Sequence, residues 1–212
     1  MGTSIPILFE DEHLLVADKP SGLLSVPGTG RDLLAALGEQ GLEVLPVHRL
    51  DRDVSGAVLL ARTPELQAGL QNLFRERALS KTYWALALGT PRRAQGEFKY
   101  PIDDSASKAR VSAIGKPSRT RWRVLAEHAQ ATEYEVDLVT GRKNQIRLHF
   151  AHAGHALAGE RKYARGKDDP TRFKRVALHA WRLAFEHPLT GEPVSVEAPL
   201  PPDLVALVSR LD

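Results

Sequence analysis

The sequence predicts an α+β fold: a mixed, largely antiparallel central sheet flanked by helices and loops. Three observations carry this. Short runs of alternating or wholly apolar residues outnumber helical periodicities along the 212 residues. The links between these runs are often of hairpin length, and the helical stretches are scattered among the strands rather than gathered at one end. A chain of this length can bury one substantial core. It is read as one domain over residues 1–212, with no separate N-terminal module.

Ile5-Pro6-Ile7-Leu8-Phe9-Glu10 and Leu14-Leu15-Val16-Ala17-Asp18 read as two short strands around an acidic turn. Lys19-Pro20-Ser21-Gly22 and Pro27-Gly28-Thr29-Gly30 are turns, and no Gly-Lys-Ser/Thr follows the second to make it a phosphate-binding loop. Arg31 to Gly38 is a short helix ending at its glycine. Ala57-Val58-Leu59-Leu60-Ala61 is an apolar run suited to a buried strand. Pro64 opens a helix in which Leu66, Leu70, Leu73 and Phe74 recur at 3.6-residue spacing. Lys81 to Gly89 is strand-like. In Thr132 to Thr140, Tyr134, Val136 and Leu138 alternate with Glu133, Glu135 and Asp137. Pro91 to Lys116 shows little periodicity and reads as an irregular or hairpin-containing insertion. Asn144 to Ala153 is a helix, Val176 to Glu186 a strand and Asp203 to Leu211 a closing helix.

Composition narrows the chemistry. With no cysteine the chain forms no disulfide and no thiolate metal site. No apolar run approaches the ~20 residues of a membrane span, and Met1 to Pro6 lacks the features of a signal peptide. A cytoplasmic protein with no membrane association is expected. The formal net charge is only +3, but it is uneven: Gly141 to Arg182 holds eleven Lys/Arg against three Asp/Glu. That excess suits a polyanion such as RNA, with a solvated basic surface as the alternative.

The densest candidate chemistry is His48-Arg49-Leu50-Asp51-Arg52-Asp53-Val54-Ser55-Gly56. Neighbouring positive charge favours an ionised carboxylate, so Asp51 is placed to act as nucleophile or base; metal ligation is the weakest option beside two guanidinium groups. A surface ion pair is the competing reading. Arg147 on the 144–153 helix is either a solvent-facing arginine or a partner for such a carboxylate, and Tyr83 is either core or an aromatic contact. His149, His152 and His155 form a ladder that would have to ligate zinc if this were a metalloenzyme. Their spacing drifts around a helix, however, and no HExxH glutamate accompanies them. No Gly-x-Ser-x-Gly surrounds Ser55, and Asp51-x-Asp53 lacks the later ligands of a calcium loop.

The same segment resembles the HRLDxxTSG signature of the RluA-type RNA pseudouridine synthases, with Val54 where threonine is usual. Lys81-Thr82-Tyr83-Trp84-Ala85 resembles the family's K-x-Y-x-A block, and Gly141-Arg142-Lys143-Asn144-Gln145-Ile146-Arg147-Leu148-His149 its GRxHQIRxH block. Glu10 to Gly22 and Leu178-His179-Ala180 to His187-Pro188 also match, in the family's order, from about residue 5 to about residue 200. The resemblance implies the pseudouridine synthase fold without an extra RNA-binding module. It also implies isomerisation of uridines in ribosomal RNA or tRNA. Asp51 would be the nucleophile, Tyr83 would pack on the flipped uracil and Arg147 would be the Asp51 partner. Arg49 would enter the space left by the base, with a local pair to Asp51 or Asp53 as the equal alternative, and Arg142, Arg161, Lys162 and Arg165 would contact RNA, within a basic stretch running on through Lys167, Arg172, Lys174 and Arg175. No cofactor, metal or obligate protein partner is implied, and a monomer is expected. A non-catalytic RNA-binding protein on the same fold is the competing class. Lys19 to Gly28 and Phe74-Arg75-Glu76-Arg77 resemble the small branch that acts on large-subunit ribosomal RNA and a tRNA anticodon stem-loop. Val54, Asn144 (for histidine) and Glu160 (for aspartate) depart from the pattern and bear on substrate detail.

Overall fold

A computed structural model describes residues 4–164 and 169–211. In chain order the elements are β1 (Ile7–Glu10), β2 (Leu14–Lys19), α1 (Leu33–Gly38), β3 (Leu45–Pro46), β4 (Ser55–Ala61), α2 (Pro64–Glu76), β5 (Leu79–Leu88) and β6 (Gln95–Phe98). There follow β7 (Ile102–Asp103), β8 (Arg110–Val111), β9 (Thr120–Glu127), β10 (Ala131–Leu138), α3 (Gln145–His152), β11 (Leu178–Glu186), β12 (Pro193–Glu197) and α4 (Pro202–Val208). The chain forms two compact units, one of Met1–Lys81 with His179–Pro201 and one of Thr82–Leu178 with Pro202–Asp212.

In the first unit the strands run β1-β2-β4-β11, with β12 on β11 and β3 on β4. β1, β2 and β4 are antiparallel neighbours, whereas β4 meets β11 in parallel, so the sheet is mixed. All seven residues of β4 are buried, as its unbroken apolar run requires of a strand covered on both faces. Leu66 and Leu70 of α2 join Leu14, Val16, Leu59, Leu183 and Phe185 in the core. Thr63 caps α2 by accepting from the Leu66 N–H at 3.3 Å, and Pro64 sits where its missing N–H costs nothing.

In the second unit β5, β10, β9 and β6 form an antiparallel run. Its centre is aromatic: Tyr134 lies 5.6 Å from Trp122 and 5.1 Å from Phe150, ring centroid to centroid, both edge-on. The insertion between β6 and β9 contains the β7–β8 hairpin pairing.

The observed class is the expected α+β arrangement. β3, β9 and β12 are additions that the sequence reading did not contain. In β9 the exposed positions are Arg121, Arg123 and Leu125, opposite half-buried Trp122, Val124 and Ala126. The period of two is present, but the face directed inward is only half covered, so its apolar contrast is weak.

Candidate active site

Asp51 sits on a turn braced by the segment 19–25. The turn is closed by the Val54 N–H donating to the Asp51 carbonyl at 3.1 Å, and buried Leu50 and Val54 anchor it on either side. Ser25 Oγ both donates to the Leu50 carbonyl and accepts from the Leu50 N–H, each at 2.9 Å. The Gly22 N–H donates to the Arg52 carbonyl at 2.8 Å, Arg52 Nε returns a bond to the Gly22 carbonyl at 3.0 Å, and Ser21 Oγ donates to the Asp53 carbonyl at 2.9 Å. Gly22 adopts φ +88°, a conformation glycine accepts without strain. Beneath these contacts lies Lys19, 0 % exposed. Its ammonium donates to the carbonyls of Pro20 (2.9 Å), Leu23 (2.8 Å) and Arg52 (3.2 Å). A charge this deep is tolerated only when its donors are met, and here one of them is spent on the turn that presents Asp51. The half-buried carboxylate of Asp51 thus stands on backbone held from both sides.

The flanking motif residues serve the same scaffold. Ser55 Oγ donates to Nδ1 of His179 at 2.9 Å, and His179 Nε2 donates to the Ala198 carbonyl at 3.1 Å, which sets the tautomer. Gly56 has φ +114°, and a Cβ there would stand 2.3 Å from the Ala180 carbonyl oxygen; the β4–β11 pairing needs glycine at that position. His48 accepts the Leu59 N–H on Nε2 at 3.0 Å, so that nitrogen must stay unprotonated. Burial, with the Lys81 charge beside it, pushes the imidazole down to about 3. Lys81 lies 4.4 Å above the Phe74 ring, and burial lowers it to about 8.

A pH prediction follows from His48. Its unfolded value is near 6.5 and its folded value near 3, so the unfolded chain binds more protons between them and stability falls as pH drops through that window. Asp18 acts oppositely: burial raises it to about 6 from 3.8, against the pull of Lys19, so its contribution declines as pH rises through about 6. Comparing wild type with His48→Gln by urea unfolding isolates the histidine. The stability of wild type relative to the variant should decline by up to about 1 kcal/mol per pH unit below pH 6.5. A pH-independent difference would show that His48 is not held neutral.

In the second unit, Tyr83 is 7 % exposed on β5, opposite Val136 of β10. Arg147 projects from α3, and its guanidinium makes a two-pronged pair with Glu160: Nε–Oε2 2.6 Å and Nη2–Oε1 3.0 Å. The Glu160 side chain is 0 % exposed and that of Arg147 11 %, so this pair is shielded from solvent and fixes the plane of the guanidinium. Glu160 Oε1 also accepts the N–H groups of Lys162 (2.7 Å) and Tyr163 (3.2 Å). Gln145 locks the start of α3: Oε1 accepts from Thr140 Oγ1 and the Arg142 N–H, and Nε2 donates to the Arg119 carbonyl and Thr120 Oγ1. Asn144, just ahead of it, has φ 56° and takes the N-cap position. Asparagine enters that left-handed region more readily than most side chains.

A family model described as RNA pseudouridylate synthase matches residues 13–152, which include Asp51, Tyr83 and Arg147. The chain belongs to that family. It is 39 % identical to the ribosomal large subunit pseudouridine synthase D of Nitrosomonas europaea, over 98 % of this chain and 65 % of the relative. It is 35 % identical to the ribosomal large subunit pseudouridine synthase C of Vibrio vulnificus, over 97 % of this chain and 69 % of the relative. The chain therefore spans about two thirds of the length of the curated relatives it matches. Human RNA pseudouridylate synthase domain containing 4 superposes with a TM-score of 0.81 at 25 % identity, covering 97 % of this chain and 92 % of that one.

Within the family framework the remaining candidates separate. Arg49, Arg161 and Lys162 are exposed. Arg142 is half-buried, and its Nε is buried with no hydrogen-bond partner among the described residues. Arg165 lies outside the described residues, as does Lys167. Arg175 corrects the expectation of one continuous RNA-facing basic stretch. Its guanidinium pairs with both oxygens of Asp203 (2.7 and 3.0 Å) and donates to the Val176 carbonyl, so it ties the start of α4 to the segment before β11. The three histidines are engaged separately. His149 is buried and donates through Nε2 to the Tyr100 carbonyl at 2.9 Å, burial lowering its pKa; His152 packs edge-on against Tyr100; His155 Nδ1 donates to the Leu88 carbonyl. The sequence reading missed the roles of Lys19 and Ser25 beneath Asp51, and it noted Glu160 only as a departure. A lysine ending an apolar strand, followed directly by a Pro-Ser-Gly turn, was the available signal for the first.

Proposed function

We propose that the chain is an RNA pseudouridine synthase acting on uridines of large-subunit ribosomal RNA presented in stem-loops, working as one catalytic domain. Asp51 is the nucleophile, Tyr83 supports the flipped uracil, and Arg147 is the cation that serves the carboxylate. Arg49, Arg142, Arg161, Lys162 and Arg165 contact the RNA. The observation that carries the reading is a family match spanning residues 13–152, together with a carboxylate on a turn braced by buried polar groups. Placement of this kind is what covalent catalysis asks of a nucleophile. The reaction breaks the bond from ribose C1′ to uracil N1, turns the freed base and rejoins C1′ to C5, whose proton is lost while N1 gains one. It is a net isomerisation. An ionised carboxylate assists by attacking C1′, by attacking the ring, or by taking the C2′ proton. None of these routes draws on a redox cofactor, nucleotide or metal.

We further propose that the protein acts in the cytoplasm as a monomer with no obligate protein partner; no helix among the described residues is long and apolar enough to cross a membrane. The uridine must leave its stack before its glycosidic bond is reached, and recognition is of shape and a few unstacked bases. The test is pseudouridine mapping of large-subunit ribosomal RNA and tRNA transcripts treated with the purified chain. New pseudouridine in ribosomal stem-loops supports the reading. Modification of tRNA alone overturns the substrate, and RNA binding without any product favours the non-catalytic alternative. Turnover should persist in EDTA once the RNA is folded; loss that is restored by zinc, and not by magnesium, would overturn the metal-free chemistry.

A further inference from the structure

Tyr163 lies at the centre of a cluster, and the proposed isomerisation gives its ring no part. One part of its ring packs on Ile102, Ala109 and Leu148. Its hydroxyl donates to Asn144 Oδ1 at 2.7 Å, so the ring is held at both ends while remaining partly exposed. Three cations surround it: Lys162 Nζ at 5.4 Å from the centroid, the Arg147 guanidinium at 5.5 Å and Lys108 Nζ at 5.7 Å. Their circumstances differ. Arg147 is paired with Glu160. Lys108 and Lys162 are exposed, and among the described residues neither ammonium has a carboxylate partner.

Lys108 comes from the connection between β7 and β8, whereas Lys162 follows Glu160. Folding therefore brings two like charges from separate segments to one aromatic ring, and local charge pairing does not account for it. Attraction to the ring face accounts for part. A shared anion accounts for both. An aromatic face flanked by cations is the chemistry that holds single-stranded nucleic acid, with the ring stacking on a base and the cations taking phosphate.

We infer that Lys108, Lys162 and Tyr163 form a nucleotide platform for RNA: the two ammonium groups hold a phosphodiester, and the tyrosine ring stacks on an unpaired base other than the isomerised uridine. This rests on the reading of the chain as an RNA-modifying enzyme and deepens it by locating a second point of grip. Asn144 sets the ring's tilt through the hydroxyl.

The test is binding of a uridine-containing stem-loop transcript of large-subunit ribosomal RNA, measured against salt for wild type, Lys108→Ala/Lys162→Ala, Tyr163→Phe and Tyr163→Leu. The lysine pair is on the surface, where truncation is well tolerated by the fold. Losing the one phosphate that the two lysines share should lower the slope of log K against log salt by about 0.7, the value for one single-stranded phosphate. Tyr163→Leu should bind about tenfold more weakly, while Tyr163→Phe, which keeps the face, should stay within about twofold. In turnover assays the lysine pair should raise KM by more than it lowers kcat. An unchanged salt slope in the lysine variant, or equal losses in Phe and Leu, overturns the platform. The two readings fail separately: wild type that makes no pseudouridine but shows the slope change refutes only the catalytic reading. Active wild type with an unaltered slope refutes only the platform, and wild type that does not bind RNA refutes both.

Discussion

Asp51→Asn is expected to lower single-turnover pseudouridine formation by roughly 10⁴-fold or more while leaving the RNA dissociation constant within about twofold. The reason lies in how the turn is built. The contacts that brace it run through backbone groups of Leu50, Arg52, Asp53 and Val54, and through the side chains of Lys19, Ser21 and Ser25. Asparagine has the same shape and can occupy the same place on that backbone. It lacks the negative charge, and with it the nucleophilic or basic carboxylate oxygen that each route to the product requires. A full-length stem-loop, an excess of enzyme and a filter-binding control read the two quantities in one preparation. A variant retaining more than a hundredth of the wild-type rate would show that Asp51 is not the nucleophile.

Lys19→Met should be the most damaging substitution for stability outside the apolar core. The methionine fills much of the lysine stem's volume, so packing is nearly kept, but the carbonyls of Pro20, Leu23 and Arg52 lose their common donor. Each buried group left unsatisfied costs about 1–3 kcal/mol. The Arg52 carbonyl keeps its bond from the Gly22 N–H, and the Pro20 carbonyl is only partly buried and can recruit water, so a total of about 2 kcal/mol, mostly from the Leu23 carbonyl, is expected. In urea unfolding this is a lower midpoint with an unchanged slope. Activity should fall further than the folded fraction does, because the Arg52 carbonyl belongs to the turn that aims Asp51. If the midpoint holds and only activity falls, the ammonium serves catalysis and not the scaffold. If neither changes, the buried cluster contributes nothing.

The legible parts of this protein were those written in local pattern. The apolar run of β4, the 3.6-residue spacing of α2 opened by Pro64 and capped by Thr63, and the strict alternation in β10 each fix an element through nearest-neighbour chemistry. The resemblance of contiguous blocks to the family likewise points to Asp51, Tyr83 and Arg147 as the expected site residues. Boundaries moved by a few residues where a cap decided them, as when Asn144 became the left-handed N-cap of α3 instead of its first turn.

What tertiary structure alone decided was the partner of each polar group. Nothing near Lys19 in the chain shows that the Arg52 carbonyl, from a turn after β3, will lie against its ammonium. Glu160 reads in the sequence as a departure bearing on substrate detail; burial makes it the two-pronged holder of Arg147. Arg175 reads as one more cation in a basic stretch, yet Asp203 claims it, whereas Lys162, two residues after Arg147's own partner, is exposed. The physical reason is common to all of them. Helix and strand follow from side-chain periodicity over a few residues, whereas the state of a charge depends on burial and on which distant group reaches it. By itself the sequence determined the fold class, most of the elements and the family's motif blocks; the packing of remote segments decided which polar groups are buried and with what they pair.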